Sequence, residues 1–443
     1  MKGFCRKFVP VMLSGAVLFS ALGGCGETAV HEELSDRSSS PAVIRIAWWG
    51  SEERNRLTGE VLELYSRQHP EIAFEAYPYE WNDYFQILSL KTAQGDMPDL
   101  VQMDYLYIVT YTKNGSLADL TGFVEDGTIQ TGDWDEDALK SGVVDGKLTG
   151  IVLGTTVLSM TYNPDVFQEA GLPLPDFHWT WEDFKEDCLA IRQRTGKYGA
   201  AMTPILDLNL FHYWVRQHGE ELFSLDQTAL GYQDDSIYVE YVNLFKELID
   251  KGAVPDSDGW AAISVQGQEN TPIVTGNGGM TVEWNNYPLR ISYVNDRLKL
   301  TILPLAPEQE NTGLWMKPGM FFSVAETSGL KEECARFIDW FVNAQEPNRI
   351  MKGERSVPVS KKIREDLVNG GTLSQVQQEM FQFTDRAAEL AGDTPPPEPS
   401  GMEQINDAFA QTANACFYGA MTAEEAAAEF RRTVNGYLQK AKP

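Results

Sequence analysis

The chain is poor in cysteine, histidine and positive charge, and each shortage removes a class of function. Its 443 residues hold five cysteines, five histidines and 36 Lys and Arg against 64 Asp and Glu, a net charge of −28. Nucleic-acid binding needs clustered Lys and Arg, so no nucleic-acid partner is expected. The Cys and His residues lack zinc-ligand spacing, so neither a metal nor another cofactor is expected. Cys188, Cys334 and Cys416 stand in helix-like segments, and we predict buried, reduced thiols.

Sequence motifs for hydrolytic and nucleotide chemistry are missing as well. The chain contains no G-x-S-x-G, H-E-x-x-H or Walker A segment, and its histidines lack the spacing of a catalytic triad. A glycoside hydrolase needs only two carboxylates, and the 64 acidic residues offer too many pairs to single one out. We therefore predict that the protein is not an enzyme, and a secreted glycoside hydrolase stays as an alternative.

Long apolar runs are scarce, and the one at the N-terminus is short. It extends from Val9 to Leu22 and follows three basic residues. Because a helix needs about 20 apolar residues to cross a bilayer, this arrangement is typical of a secretory signal. The run ends in Leu-Gly-Gly-Cys at Cys25, which resembles the lipobox of bacterial lipoproteins. We predict that residues 1–24 are a lipoprotein signal peptide and that Cys25 is lipidated; an ordinary signal with a coincidental cysteine is the alternative.

The segment after the cysteine is polar. Residues 25–42 are rich in serine and acidic side chains and hold few apolar ones, so they cannot bury a core of their own. We predict a flexible stalk here. Several acyl chains on Cys25 would hold the protein at the extracytoplasmic face of the cell membrane.

Apolar periodicity alternates between strands and helices along the rest of the chain. β-rich runs and helix-like segments follow one another at 43–49, 57–65, 72–77, 84–93 and 99–103. This alternation favours an α/β fold with a largely parallel sheet. About 400 residues exceed the size of one core, so two domains are expected. The β-rich run from Leu148 to Tyr162 is too long for one small strand, and we expect it to cross between the domains.

Several segments, in this order and spacing, carry a resemblance to a known family. They are Ile44–Gly50, Gly95–Asp104, Leu117–Leu120, Met160–Phe167, Trp179–Phe184, Gly278–Met280 and Leu303–Pro307. The chain resembles the family 1 extracellular solute-binding proteins that serve carbohydrate ABC importers. Each segment alone is weakly specific, and together they cover nearly the whole chain after the signal.

The resemblance implies a periplasmic-binding-protein-like fold with two α/β lobes, a ligand cleft between them and several hinge crossovers. Lobe 1 is expected at 43–157 plus 306–351, and lobe 2 at 158–305 plus 352–443. It also implies a function: the protein binds a mono- or oligosaccharide in the cleft and delivers it to ABC permease subunits in the membrane. A monomer is expected.

Candidate ligand-binding residues follow from the chemistry of sugars, which offer a flat CH-rich face and many hydroxyls. Aromatic rings stack on the face, and planar polar groups answer the hydroxyls. Trp48 and Trp49 point to opposite sides of a strand, and Trp49, nearer the strand end, is chosen for the cleft. Glu52 and Arg54 follow at a predicted helix start, where helix-dipole charge is the competing interpretation. Trp81 stands in a polar loop.

Other candidates come from the resemblance or from the aromatic content of later segments. The resemblance places cleft residues at Asp104 and Tyr105, for which a helix cap and core packing are the competing interpretations. It places a stacking aromatic of the second lobe at Trp284, with Asn285 beside it. The remaining candidates are Trp214, Trp315 and Arg355.

Three alternatives stay open for the ligand. An acidic sugar such as a uronate could face Arg54, Arg216, Lys317 and Arg355, because guanidinium pairs well with carboxylate. A polyamine could be held between aromatic rings and acids, since cation–π capture uses the same aromatic side chains. A metal or a peptide belongs to the same group of other solutes.

Overall fold

Two β-sheets with helices packed against them form the part of the chain that the computed structural model describes. These residues are 40–440, with gaps at 135, 203–207, 307–311, 397 and 400. Cys25, the predicted signal and all but the last residues of the predicted stalk lie outside this range. Residues Pro41–Pro443 group into one unit.

The strands are short and spread over the chain. They are β1 Ala42–Trp49, β2 Ile72–Tyr79, β3 Leu100–Met103, β4 Val143–Val144, β5 Lys147–Leu148, β6 Ile151–Thr156, β7 Leu158–Tyr162, β8 Tyr198–Ala200, β9 Gly278–Trp284, β10 Lys299–Thr301, β11 Lys317–Val324 and β12 Val357–Pro358.

The helices are more numerous than the strands. They are α1 Glu52–Gln68, α2 Trp81–Ala93, α3 Tyr105–Lys113, α4 Thr121–Glu125, α5 Glu136–Lys140, α6 Pro164–Ala170, α7 Trp181–Thr195, α8 Asn209–Gln217, α9 Ser236–Asp250, α10 Ser257–Ser264, α11 Pro272–Thr275, α12 Tyr287–Ile291, α13 Lys331–Asn343, α14 Gln345–Met351, α15 Lys361–Asn369, α16 Gln375–Ala388, α17 Met402–Phe417 and α18 Ala423–Lys440, with a 3-10 turn at Gln268–Asn270.

The first sheet has six strands in the order β12-β6-β11-β3-β1-β2. β1 runs parallel to β2 and β3, whereas β11 is antiparallel to β3 and β6, and β12 is antiparallel to β6. The expectation of a largely parallel sheet is therefore wrong in this detail. Its basis was the helix crossover, which makes consecutive strands parallel, but β11 enters this sheet directly after β10 of the second sheet.

The second sheet has the order β10-β7-β9-β8, and only its β8–β9 pair is parallel. The β-rich run that ends at Tyr162 supplies β6 to the first sheet and β7 to the second. The fully buried Val157 separates the two strands, so the chain changes sheets there. β12 joins the first sheet, although its residues fall in the range expected for lobe 2.

Each sheet has its own large buried core. The second is rich in aromatic rings because helices such as α9 bury one face: Tyr238, Tyr241 and Phe245 recur at helical spacing and are fully buried. The three remaining cysteines are free and buried, as predicted. Burial raises the pKa of the Cys188 thiol well above its ordinary value.

We find no helix between residues 40 and 440, in the part that the structure describes, that has the length and apolarity needed to cross a membrane.

Candidate functional site

A cavity of about 1010 Å³ opens between the end of β1, in the first sheet, and helix α12, which follows β9 of the second sheet. One wall comes from the end of β1 and the starts of α1 and α2, and the opposite wall comes from α12 and the turn before it. The end of α14, the segment after it and one residue of α16 complete the lining. Its lining residues are Trp49, Gly50, Ser51, Glu53, Arg54, Arg56, Leu57, Glu80, Trp81, Gln268, Asn286, Leu289, Arg290, Tyr293, Ile350, Met351, Lys352, Gly353, Glu354 and Gln377.

The first wall is aromatic. Trp81, 43% exposed, meets Trp49 edge to face, with 5.1 Å between ring centroids. Tyr84 and Phe85 pack against the other parts of Trp49, at 5.2 and 5.6 Å, so its ring is held in place. Trp48 is buried and donates Nε1–H to Asn55 Oδ1. The cavity therefore receives Trp49 and not Trp48, as the strand alternation predicts.

An ion pair stands beside these rings. Arg54 Nε donates to both carboxylate oxygens of Glu354 at 2.8 Å, and Arg54 Nη1 donates to the Trp49 carbonyl oxygen at 3.0 Å. Ser51 caps α1 by accepting from the Arg54 backbone N–H. A Cβ at Gly50 would overlap the Arg54 side chain, so glycine is needed there. Glu52 is exposed on the first turn of α1 and does not line the cavity.

The second wall is polar. Asn286 Oδ1 is buried and has no hydrogen-bond partner among the described residues. Arg290 Nη2 donates to Gln268 Oε1 at 2.6 Å, and Tyr293 is 75% exposed. None of these residues was a candidate from the sequence. The predicted pair Trp284 and Asn285 marked the strand end, and the side chains that reach the cavity come just after it.

Arg355 supports the cavity from behind. Its side chain is buried between the rings of Phe322 and Phe341, and its Nε donates to Gln102 Oε1 at 2.9 Å. Burial, and then the nearby Arg54, lower the pKa of Arg355 to about 9. It does not line the cavity, whereas its neighbour Glu354 does.

Asp104 and Tyr105 lie at the start of α3, outside the large cavity. Asp104 Oδ1 caps the helix by accepting from the Leu106 backbone N–H at 2.9 Å. The Tyr105 hydroxyl donates to the Pro395 carbonyl oxygen at 2.8 Å. Burial raises the pKa of Tyr105. Both side chains are thus engaged within the protein.

Trp284 and Asn285 lie where the chain crosses between the sheets. Asn285 Oδ1 accepts from the Thr156 hydroxyl at 2.6 Å, and Asn285 Nδ2 donates to Thr384 Oγ1 at 2.7 Å. The Lys317 ammonium sits 4.7 Å from the centre of the Trp284 ring. These contacts connect β6, β9, β11 and α16, and neither predicted residue lines the large cavity.

Trp214 and Trp315 are buried on the side of the second sheet. Trp214 Nε1 donates to the Ile237 carbonyl oxygen at 3.0 Å within the core. Trp315 packs against the His212 ring at 4.8 Å and the Arg216 guanidinium at 5.5 Å. Of the predicted ligand-binding residues, the structure therefore brings Trp49, Arg54 and Trp81 together at the cavity.

A second cavity of about 320 Å³ lies near the crossings. Its lining includes Thr155, Pro318 and Thr384 together with the Arg364–Asp385 ion pair. None of the described residues that line it is aromatic. It therefore offers no stacking face to a sugar ring. Within the described ranges, no three His, Cys, Asp or Glu side chains are grouped so that they could hold a metal ion.

Comparison with known proteins places the chain in a family. The family model of the bacterial extracellular solute-binding proteins matches residues 50–346. A putative binding protein of Brucella abortus (strain 2308) is 24% identical over 310 residues, which cover 68% of this chain and 72% of that protein.

Two solved structures extend the likeness to the fold. A family 1 extracellular solute-binding protein from Alicyclobacillus acidocaldarius is 27% identical, with a TM-score of 0.73 over 91% of this chain and 100% of that chain. A periplasmic oligogalacturonide binding protein from Yersinia enterocolitica, in complex with saturated digalacturonic acid, is 23% identical, with a TM-score of 0.76 over 90% and 99%. The two sheets, the cavity between their elements and the family match agree: this chain belongs to the bacterial extracellular solute-binding proteins, extracytoplasmic receptors with a two-lobed α/β fold.

Proposed function

We propose that this protein captures an oligosaccharide in the large cavity and delivers it to the permease subunits of an ABC importer. The observation that carries the proposal is the wall in which an exposed Trp81 is braced by Trp49. A ring fixed in this way offers a rigid apolar face to the CH groups of a sugar. The Yersinia protein, which binds an oligogalacturonide, supports the sugar class.

The polar lining of the cavity fits the hydroxyls of the same ligand. Asn286 and Gln268 line the cavity, and a side-chain amide can both donate to and accept from sugar hydroxyls. The volume of about 1010 Å³ stands at the upper end of the usual range of about 300–1,000 Å³, which favours an oligosaccharide over a monosaccharide.

The charged residues that line the cavity do not favour a polyamine as the ligand. Its lining contains four cationic side chains and three carboxylates. Glu53 and Glu354 are already paired with Arg56 and Arg54. A polyamine would need several carboxylates without a cation partner, and among the described lining residues only Glu80 is one.

Calorimetry of the purified chain with a panel of neutral oligosaccharides, uronates, polyamines and ferric citrate tests the proposal. We expect heat of binding with at least one oligosaccharide and none with the amines or iron. Binding of an amine or iron alone would sink the proposal. Chromatography of the sugar after incubation tests the hydrolase alternative, because a binding protein returns it unchanged.

We also propose that Cys25 anchors the protein by a lipid. The support is the Leu-Gly-Gly-Cys sequence after a short apolar run and the extracytoplasmic family. In cells that process lipoproteins, the unaltered chain should appear in the membrane fraction and incorporate labelled fatty acid. Cys25→Ala should not incorporate the label, because the thiol that would carry the acyl chains is absent. Incorporation of the label by the variant would contradict acylation at Cys25.

A further inference from the structure

The cations around the large cavity are mostly engaged by the protein itself. Arg54 is paired with Glu354, and Arg56 donates to Glu53 and Glu60. Lys352 and Arg290 lack a carboxylate partner within the described part of the chain, and Arg290 is exposed and bonded to Gln268.

Of the two paired cations of this wall, Arg54 is less exposed than Arg56. Its side chain is 13% exposed, that of Glu354 is 20% exposed, and that of Arg56 is 54% exposed. Arg54 adjoins Trp49 through the bond to its carbonyl oxygen. A carboxylate on a sugar stacked on Trp49 would have to compete with Glu354 for Arg54.

The paired state leaves groups that suit a neutral sugar. Glu354 occupies Nε of Arg54 and the Trp49 carbonyl takes one Nη1 hydrogen, so the remaining guanidinium hydrogens can donate to hydroxyl oxygens. The carboxylate oxygens of Glu354 retain lone pairs that accept from hydroxyl hydrogens. The ion pair is thus a donor and an acceptor with no net charge.

We propose that the Arg54–Glu354 ion pair makes this site selective for neutral glycans, with Glu354 as the residue that excludes acidic ones. The inference rests on the proposed function. An acidic sugar loses because its carboxylate would have to displace Glu354, which already binds Arg54 through both of its oxygens. The displaced Glu354 carboxylate would then lie beside the charge of the ligand, and like charges placed together are strongly unfavourable at an interface. The net charge of −28 adds to this repulsion at longer range.

The test measures binding of matched sugars to the whole chain and to Glu354→Gln. The probes are maltotriose, cellotriose and galactotriose, each beside its uronic-acid counterpart, in calorimetry at one ionic strength. The unaltered chain should bind a neutral member at least about tenfold more tightly than its uronate. In Glu354→Gln the charge of Arg54 is released, and this ratio should fall by about tenfold or more.

Two further variants keep the result interpretable. Glu379→Gln removes the same charge from the Lys299 ion pair, outside the cavity lining, and should leave the ratio unchanged. Arg54→Gln removes the cation and leaves Glu354, so it should not gain affinity for a uronate. Equal or tighter binding of the uronate by the unaltered chain overturns the selectivity alone. Binding of no sugar of either charge overturns the proposed function, and the inference falls with it.

Discussion

Two aromatic clusters, one beside each sheet, differ in whether their rings reach a cavity. The open cluster contains Trp49, Trp81, Phe85 and Tyr107, and two of its rings, those of Trp49 and Trp81, line the large cavity. The closed cluster contains Trp181, Phe184, Trp214, Tyr241 and Phe245, and all of its rings are buried.

The difference follows from the elements that carry the rings. Trp49 ends a strand and Trp81 begins a helix, so both stand at the rim where strands and helices meet loops, the usual place for ligands in α/β folds. Trp214 and Tyr241 lie within helices at positions that face the core. Rings of the same kind therefore stabilise the fold in one place and remain available for a ligand in the other.

The largest effect is expected in the closed cluster. Trp214→Ala removes a ring packed at 5.0 Å from Trp181 and at 5.7 Å from Tyr241, together with the bond to the Ile237 carbonyl. The free energy of unfolding should fall by about 3–5 kcal/mol, the usual cost of a buried aromatic truncation. Urea unfolding followed by circular dichroism measures it. A loss below about 1 kcal/mol would show that this cluster is not part of the core.

A smaller effect, on binding, is expected in the open cluster. Trp81→Ala should lower the affinity for the sugar by up to about tenfold, because a stacked aromatic contact contributes about 0.5–1.5 kcal/mol. Stability should change by less than about 1 kcal/mol, since the ring is partly exposed. Calorimetry and urea unfolding separate the two effects.

Tyr437→Ala is the control for Trp81→Ala. Tyr437 is 40% exposed on α18, and it is absent from the lining of the cavity. The control should leave affinity unchanged. If Trp81→Ala binds the sugar as tightly as the control does, the two clusters do not differ in the way we describe.

The smallest effect concerns a carboxyl group beside the closed cluster. Burial, and then Asp183 and Glu186, raise the pKa of Asp187 on α7 to about 6 from its ordinary 3.8. The folded state thus holds this proton more tightly than the unfolded state. The protonated Asp187 carboxyl therefore stabilises the folded state. This contribution is fully present below about pH 4 and is lost as the pH rises through about 6.

Asp187→Asn removes the titrating carboxyl, so the variant does not lose stability as the pH rises through about 6. At pH 7.5 the variant should be more stable by about 1 kcal/mol, a value reduced from the full pKa shift because the side chain is partly exposed. The gain should vanish near pH 4. Urea midpoints at the two pH values measure it, with the exposed Asp296→Asn as the charge-matched control. A gain that persists at pH 4 would contradict the assigned cause.

Much of the fold follows from patterns in the sequence. The β-rich runs gave β1, β2 and β3, and the helical periodicity from Ile237 onward gave α9. The direction of β11 could not be predicted, because period-2 alternation is the same in parallel and antiparallel strands. Helix α16 was not predicted, although Ser374 and Gln377 form a capping box at its start.

The site was predictable on one wall only. A strand end, a helix start and a polar loop predicted Trp49, Arg54 and Trp81 as ligand-binding residues. Asn286 lies in the turn after β9, and Arg290 lies in the short helix α12 that follows. Periodicity does not predict which side chains of a turn and a one-turn helix face a cavity. Glu354 was passed over in favour of Arg355, because sequence alone does not show which of two neighbouring charges is buried.

The partners of the Arg54–Glu354 ion pair stand 300 positions apart in the chain. A ribosome completes residue 54 long before residue 354, and contacts between distant residues form late in folding because a large loop must close first. A chain that ends before residue 354 lacks Glu354 and Gln377, which complete the lining of the cavity. Sugar capture would therefore report that synthesis has passed residue 354 and that the two distant segments have come together, and a product terminated before that point should fail in a binding assay even where β1, β2 and β3 had paired.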